Sequence, residues 1–343
     1  MTFDPRNILV IDFGQLGDVV MSLPALRAVR DKFPRARITI AVGKPAAEII
    51  RMSGYADETI EVDRVALRDG FKPFSVLRVF KVAQNVRRRQ FDFVIDLHSF
   101  AETNLLGFFS GASKRLFSRR RGRSLDLLAN FKPAPPVEED NRERHQVDRY
   151  LDVLIPLGIT GAERIPRLAT RFDDDHEIDK LLRKSKAEAG APLVGLFPGA
   201  GHETRRWPLE LFAQLADSLV RNDAVRPVVF AGPEERALIP QIRSLFPAST
   251  VILDHLTIRQ LASAQARLAV FVSNDTGPVH IAAAVGVPIV LLLDSRAPDS
   301  YFPLSESRRT IYGAPIAKIP VEEAYDATRA LLAAGRVATL FAS

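Results

Sequence analysis

The chain has 343 residues, 47% hydrophobic and 26% charged, a globular composition long enough for two domains with separate cores. It contains no cysteine, which excludes disulfides, thiolate metal sites and a cysteine nucleophile. Its net charge of +6 points to an anionic partner.

The first residues carry no basic segment followed by an apolar run, so no secretory signal is expected. Residues 8–11 read as a strand and 20–33 as a helix, with Leu23, Leu26, Val29 and Phe33 at helical spacing. A strand at 38–42, a helix at 46–52, a short strand at 58–62, a helix at 76–88 and a strand at 91–97 follow. Continuous apolar strands joined by helices predict a parallel sheet covered on both faces. The stretch "KRLFSRRRGR" (114–123), with six basic residues and no acid, reads as a solvated face or as a site for a phosphorylated substrate or anionic membrane surface. Nucleic acid ranks lower, because no aromatic stacking pattern accompanies the charge.

Residues 166–190 are mixed and charge-clustered and are expected to form a linker between an N-terminal domain (1–165) and a C-terminal one (191–318). The second series predicts strands at 193–197, 227–231, 251–253, 268–273 and 288–293, alternating with helices at 209–221, 234–246, 257–265 and 279–285. Residues 276–293 lack charged side chains but contain Pro278, Gly286 and Pro288, which favours a buried helix, turn and strand over a membrane span. The segment from 319 to 343 reads as a terminal helix.

Ligands of open α/β sheets bind beyond the carboxyl ends of strands, so the turns there hold the candidate site. The strand ending at Phe197 runs into Gly199 and Gly201, which let backbone N–H groups approach a ligand, followed by Arg205 and Arg206, suited to phosphate. Asp275, Thr276 and Gly277 open the helix that carries His280, and its N-terminus is a potential anion site or simply a well-capped helix end. Gly232, Glu234 and Glu235 occupy a third strand end, where a carboxylate can hold ribose hydroxyls or merely favour the helix dipole. Together these turns describe a nucleoside diphosphate pocket. The first turn, Gly14-Gln15-Leu16-Gly17, lacks the dinucleotide spacing and is followed by Asp18, which would repel phosphate.

The segments "GQLGDVVMSLPALRAVR", "FDFVIDLHS", "HQVDRYLDVLIPLGI", "FPGAGHETRRWPLELFAQLADSL", "VVFAGPEE" and "VSNDTGPVHIAAAVGVPIVLL" resemble, in this order, the glycosyltransferase family 9 pattern of ADP-heptose lipopolysaccharide heptosyltransferases. The resemblance implies a GT-B fold: two facing Rossmann-like domains, a cleft between them, and a terminal helix crossing back to the N-terminal domain. It implies an inverting transfer from an ADP-sugar with no metal or other cofactor, Asp18 being the base. Gly199, Gly201, Arg205, Arg206, Asp275, Thr276, Gly277 and His280 would bind the donor phosphates, and Gly232, Glu234 and Glu235 its nucleoside. Gly17, Arg119, Arg120, Arg121 and His145 would face an anionic glycolipid acceptor at the inner membrane surface. The expected enzyme is a cytoplasmic, peripherally bound monomer. One departure is Arg205, where family members commonly carry lysine. Competing readings are a GT-B nucleotide-sugar epimerase and a noncatalytic anion-binding protein of the same fold.

Overall fold

A computed structural model describes residues 3–62, 73–138, 144–184 and 191–341. The chain forms two compact units, residues 1–166 with 299–301, and residues 167–298 with 302–343.

The first unit comprises β1 (Asn7–Asp12), α1 (Leu16–Lys32), β2 (Arg37–Gly43), α2 (Ala47–Ser53), β3 (Glu58–Val62), α3 (Pro73–Arg88), β4 (Phe93–Asp96), α4 (Ala101–Phe109), β5 (Lys114–Phe117), β6 (Arg119–Arg120), β7 (Val137–Glu138) and α5 (Gln146–Asp152). Its main sheet has the order β3-β2-β1-β4-β5 with every pair parallel. β1 is apolar because both faces are covered: Ile8, Leu9, Val10 and Ile11 have no exposed surface. The strand order reverses direction between β1 and β4, so the turns after these two strands form the topological switch point.

The second unit contains α6 (Phe172–Lys184), β8 (Leu193–Phe197), α7 (Leu209–Asp223), β9 (Arg226–Phe230), α8 (Ile239–Leu245), β10 (Val251–Leu253), α9 (Ile258–Gln265), β11 (Val270–Asn274), α10 (Gly277–Ala284), β12 (Ile289–Asp294), β13 (Arg308–Gly313) and α11 (Val321–Phe341). The sheet order β10-β9-β8-β11-β12-β13 is again fully parallel, with its switch between β8 and β11. Among the described residues, no helix is long and apolar enough to cross a membrane.

One expectation is corrected. Within 166–190, α6 is part of the second unit: Ile178 is fully buried in its core, and Asp174, Asp175 and Asp179 bind Arg259 and Arg267. Described side chains of the terminal helix pack within the second unit. Ala324, Leu331 and Leu332 join the core beneath β11 and β12, and the Tyr325 hydroxyl donates to Asp223 at 2.8 Å. Apolar residues spaced along one face of α11 need a partner, and α7 lies against that face.

Candidate functional site

In the second unit, the turns after β8, β9 and β11 are tied together by buried polar groups. Asn274, fully buried at the end of β11, accepts from the Trp207 backbone N–H and donates through Nδ2 to the carbonyls of Pro198 and Gly199 at 3.0 and 3.1 Å. Trp207 is itself buried, its indole N–H donating to the Ile319 carbonyl. Asn274 is a site residue that reading by motif missed. Its signal was its position as the last inward residue of a buried strand, where an amide must find partners.

The two arginines divide their labour. Arg206 places Nε and Nη2 on the Ala200 carbonyl, at 3.0 and 2.9 Å, and so braces the glycine turn. Arg205 is more than half exposed and reaches Asp275 at 3.4 Å. Burial raises the Asp275 pKa, and the Arg205 charge opposes that shift. Glu235 is buried, with one oxygen accepting from the Gly232 N–H at 3.0 Å and the carboxylate packed where a Gly199 side chain would be. It acts as a brace between two strand ends, and burial followed by the charge of Glu234 pushes its pKa up. Glu234 is exposed beside it. Gly201 has open space around it, whereas Gly199 has none. Thr276 precedes α10 without a side-chain cap, Gly277 is half-buried as the first residue of that helix, and His280 is buried one turn in.

In the first unit, a second cluster stands at the switch point. Asp12, fully buried at the end of β1, accepts from the Gly14 N–H at 2.9 Å and the Ser22 hydroxyl at 2.6 Å, and faces His98 Nδ1 at 3.1 Å. Burial alone would raise its pKa, but the His98 and Ser22 contacts and the Gly14 N–H outweigh this and lower it. Asp96, at the end of β4, accepts from the His98 and Ser99 N–H groups and from Asn104 Nδ2. Burial pushes its pKa to about 6. Ser99 turns the chain with φ of 49°, a conformation costly outside glycine.

Asp18 lies at the first turn of α1, half-buried, with Oδ2 accepting from the Gln15 N–H at 2.9 Å. Gly17 precedes it. A side chain at Gly14 would meet Asp18 Cβ, His98 Cε1 and Asp12 Oδ1 at 2.5, 2.9 and 3.0 Å, so these groups converge on one glycine. Burial, then the charges of Asp12 and Asp18, raises the Tyr150 pKa well above normal.

The basic run is less uniform than its sequence suggests. Lys114–Phe117 is an edge strand whose Leu116 and Phe117 are buried. Arg120 turns inward, binding Glu138 at 3.0 Å and the His98 carbonyl at 3.2 Å, and Arg119 pairs with Asp126. Arg121 is exposed. His145 caps α5, its Nδ1 accepting from the Val147 N–H, and lines a cavity of about 710 Å³ with Glu138, Arg144, Arg149 and Arg164. Among the described residues, no group of three or more His, Asp or Glu is placed to hold a metal ion.

The chain is 23% identical to lipooligosaccharide heptosyltransferase 2 of Haemophilus influenzae, over 89% of this chain and 88% of that one. Its fold matches the glycosyl transferase family 9 structure from Veillonella parvula (TM-score 0.85, 22% identity, 97% and 98% coverage). It also matches the E. coli heptosyltransferase WaaC with ADP (TM-score 0.76, 18% identity, 95% and 99% coverage). These neighbours share the GT-B fold expected from the sequence. A profile of glycosyltransferase family 9 (heptosyltransferase) matches residues 79–327, well over half the chain, and this chain therefore belongs to that family of transferases.

Proposed function

We propose that the protein transfers a heptose or closely related sugar from an ADP-sugar to an inner-core lipopolysaccharide acceptor, with inversion at the anomeric carbon. The observation that carries this reading is the pairing of Arg205 with Asp275 beside the glycine turn and the N-terminus of α10, where phosphate charge can be met by a guanidinium and backbone N–H groups. The solved relative that contains ADP supports the choice of base. Asp18 belongs to the acceptor side. The acceptor oxygen bonds to the anomeric carbon as the carbon–phosphate oxygen bond breaks, the electron pair leaves with ADP, and the hydroxyl proton passes to Asp18. Arg205 and the amides near Thr276 and Gly277 stabilise the departing charge, so this reading asks no metal of the site. The acceptor's phosphates place the protein at the cytoplasmic membrane surface, with Arg121 and the cavity near His145 on the acceptor side.

Calorimetric titration with ADP, UDP and GDP tests the donor. ADP is expected to bind preferentially, and Arg205→Ala to weaken it by about tenfold or more, the loss of one charge-assisted contact. Asp18→Asn is expected to keep ADP affinity while lowering transfer to heptose-deficient lipopolysaccharide by at least about 10²-fold. Equal binding of all three nucleotides would remove the ADP assignment.

A further inference from the structure

Beside Asp18 stands a second potential proton acceptor that the transfer chemistry above does not use. His98 is held through its backbone and through one ring nitrogen. Its backbone N–H donates to Asp96, its carbonyl accepts from Arg120, and its Nδ1 faces Asp12 at 3.1 Å, with the Tyr150 hydroxyl at 3.5 Å. Asp12 is ionised and can only accept, so the nitrogen facing it carries the ring proton. That leaves Nε2 as a lone-pair acceptor. Among the described residues Nε2 has no hydrogen-bond partner, although only 8% of the residue is exposed. Nε2 keeps access to solvent, so a ligand hydroxyl can reach it. Cε1, bonded to Nε2, lies 2.9 Å from the position of a Gly14 Cβ, and Asp18 Cβ lies 2.5 Å from it.

We infer that His98 is a second catalytic residue of the acceptor site: Nε2 accepts a hydrogen bond from a hydroxyl of the acceptor sugar beside Asp18, and Asp12 holds the tautomer that permits it. The inference rests on the reading of the first unit as the acceptor side. Glycine at position 14 then has a definite function, because any side chain would fill the space shared by the two acceptors. The ligand class is a neutral or anionic sugar hydroxyl, since Nε2 in this tautomer offers no proton to a phosphate. Protonation of the ring would convert Nε2 to a donor and break the contact. Asp12 from β1, Tyr150 from α5 and the Phe100 ring face the imidazole, Asp18 from α1 shares the space at Gly14, and Asp96 and Arg120 bind the His98 backbone.

The test measures transfer from ADP-heptose to heptose-deficient lipopolysaccharide, with ADP affinity measured separately. His98→Ala is expected to lower kcat/KM for the acceptor about 10²-fold with ADP affinity unchanged. His98→Gln, whose amide oxygen can still accept, should recover part of that loss. Asp12→Ala, which removes the oxygen that accepts from Nδ1, should lower activity in the same direction as His98→Ala; circular dichroism checks that it folds. Wild-type activity in His98→Ala, or no recovery in His98→Gln, overturns the inference. A wild type that binds no ADP instead removes the donor reading and leaves the His98 comparison to be made with the correct donor.

Discussion

Asp18 and Asp96 show how one kind of side chain serves different ends a few ångströms of environment apart. Asp18 is half-buried and stands at a helix start, where the dipole favours its charge. Asp96 is fully buried, and desolvation outweighs its hydrogen bonds from Thr103, Ser99 and His98, taking its pKa from 3.8 to about 6. A carboxyl whose folded pKa is raised stabilises the fold fully below its unfolded pKa, and that contribution is lost as pH rises through about 6. The shift corresponds to about 3 kcal/mol between the two limits. Wild-type stability in urea is therefore expected to fall, relative to Asp96→Asn, between pH 4 and pH 7. Parallel pH dependence of the two proteins would show that Asp96 does not titrate in the fold. The variant loses something of its own, because Asn104 Nδ2 then faces an amide donor, so the comparison rests on slopes rather than absolute values.

At the scale of elements, the strands were legible because buried parallel strands are continuous apolar runs, and β1, β4, β8 and β11 all read that way. Two of the four edge strands of the main sheets, β5 and β13, were not. β5 starts with Lys114-Arg115 and β13 with Arg308-Arg309, because an edge has only one neighbour and tolerates charge where a central strand cannot. The helix expected over 234–246 is shorter for a related reason: Pro240 sits in the first turn of α8, while Glu235 turns back to Gly232. At the site, glycines and arginines announced themselves by type and spacing, whereas Asn274, Asp12 and His98 were assigned no role, since their meaning comes from strands distant in sequence being adjacent in the sheet. The apolar stripe of the terminal helix says that a partner exists without saying which. Its docking on α7 predicts that Leu331→Ala, emptying a 6% exposed position, lowers unfolding free energy by about 2–4 kcal/mol. A thermal midpoint within a degree of wild type would place that face against nothing.

For the molecule as a whole, the excess positive charge matters most where it meets exposed apolar surface. Leu105, Phe108 and Phe109 on α4 and Leu127 in the following 3-10 turn are each more than 40% exposed, and the Leu125 N–H donates to Asn104 Oδ1, joining that turn to α4. Arg115 lies 5.4 Å over the Phe108 ring, and Lys114, Arg121 and Arg123 are exposed nearby in sequence. Aromatic side chains among cations are the composition of a surface that rests in a lipid headgroup layer, where rings bury in the acyl boundary and cations meet anionic lipids. An acceptor anchored in a membrane would then be met by an enzyme already held there. Cosedimentation with vesicles containing an anionic phospholipid is expected to retain the wild type at low salt and release much of it at high salt, as surface charge is screened. Phe108→Ser with Phe109→Ser should weaken retention at both salt concentrations, because it removes the apolar share, and should leave ADP affinity untouched. Retention that responds to salt but not to the double variant would mean that charge alone holds the protein. No retention in either protein would mean that the aromatic face serves some contact other than lipid.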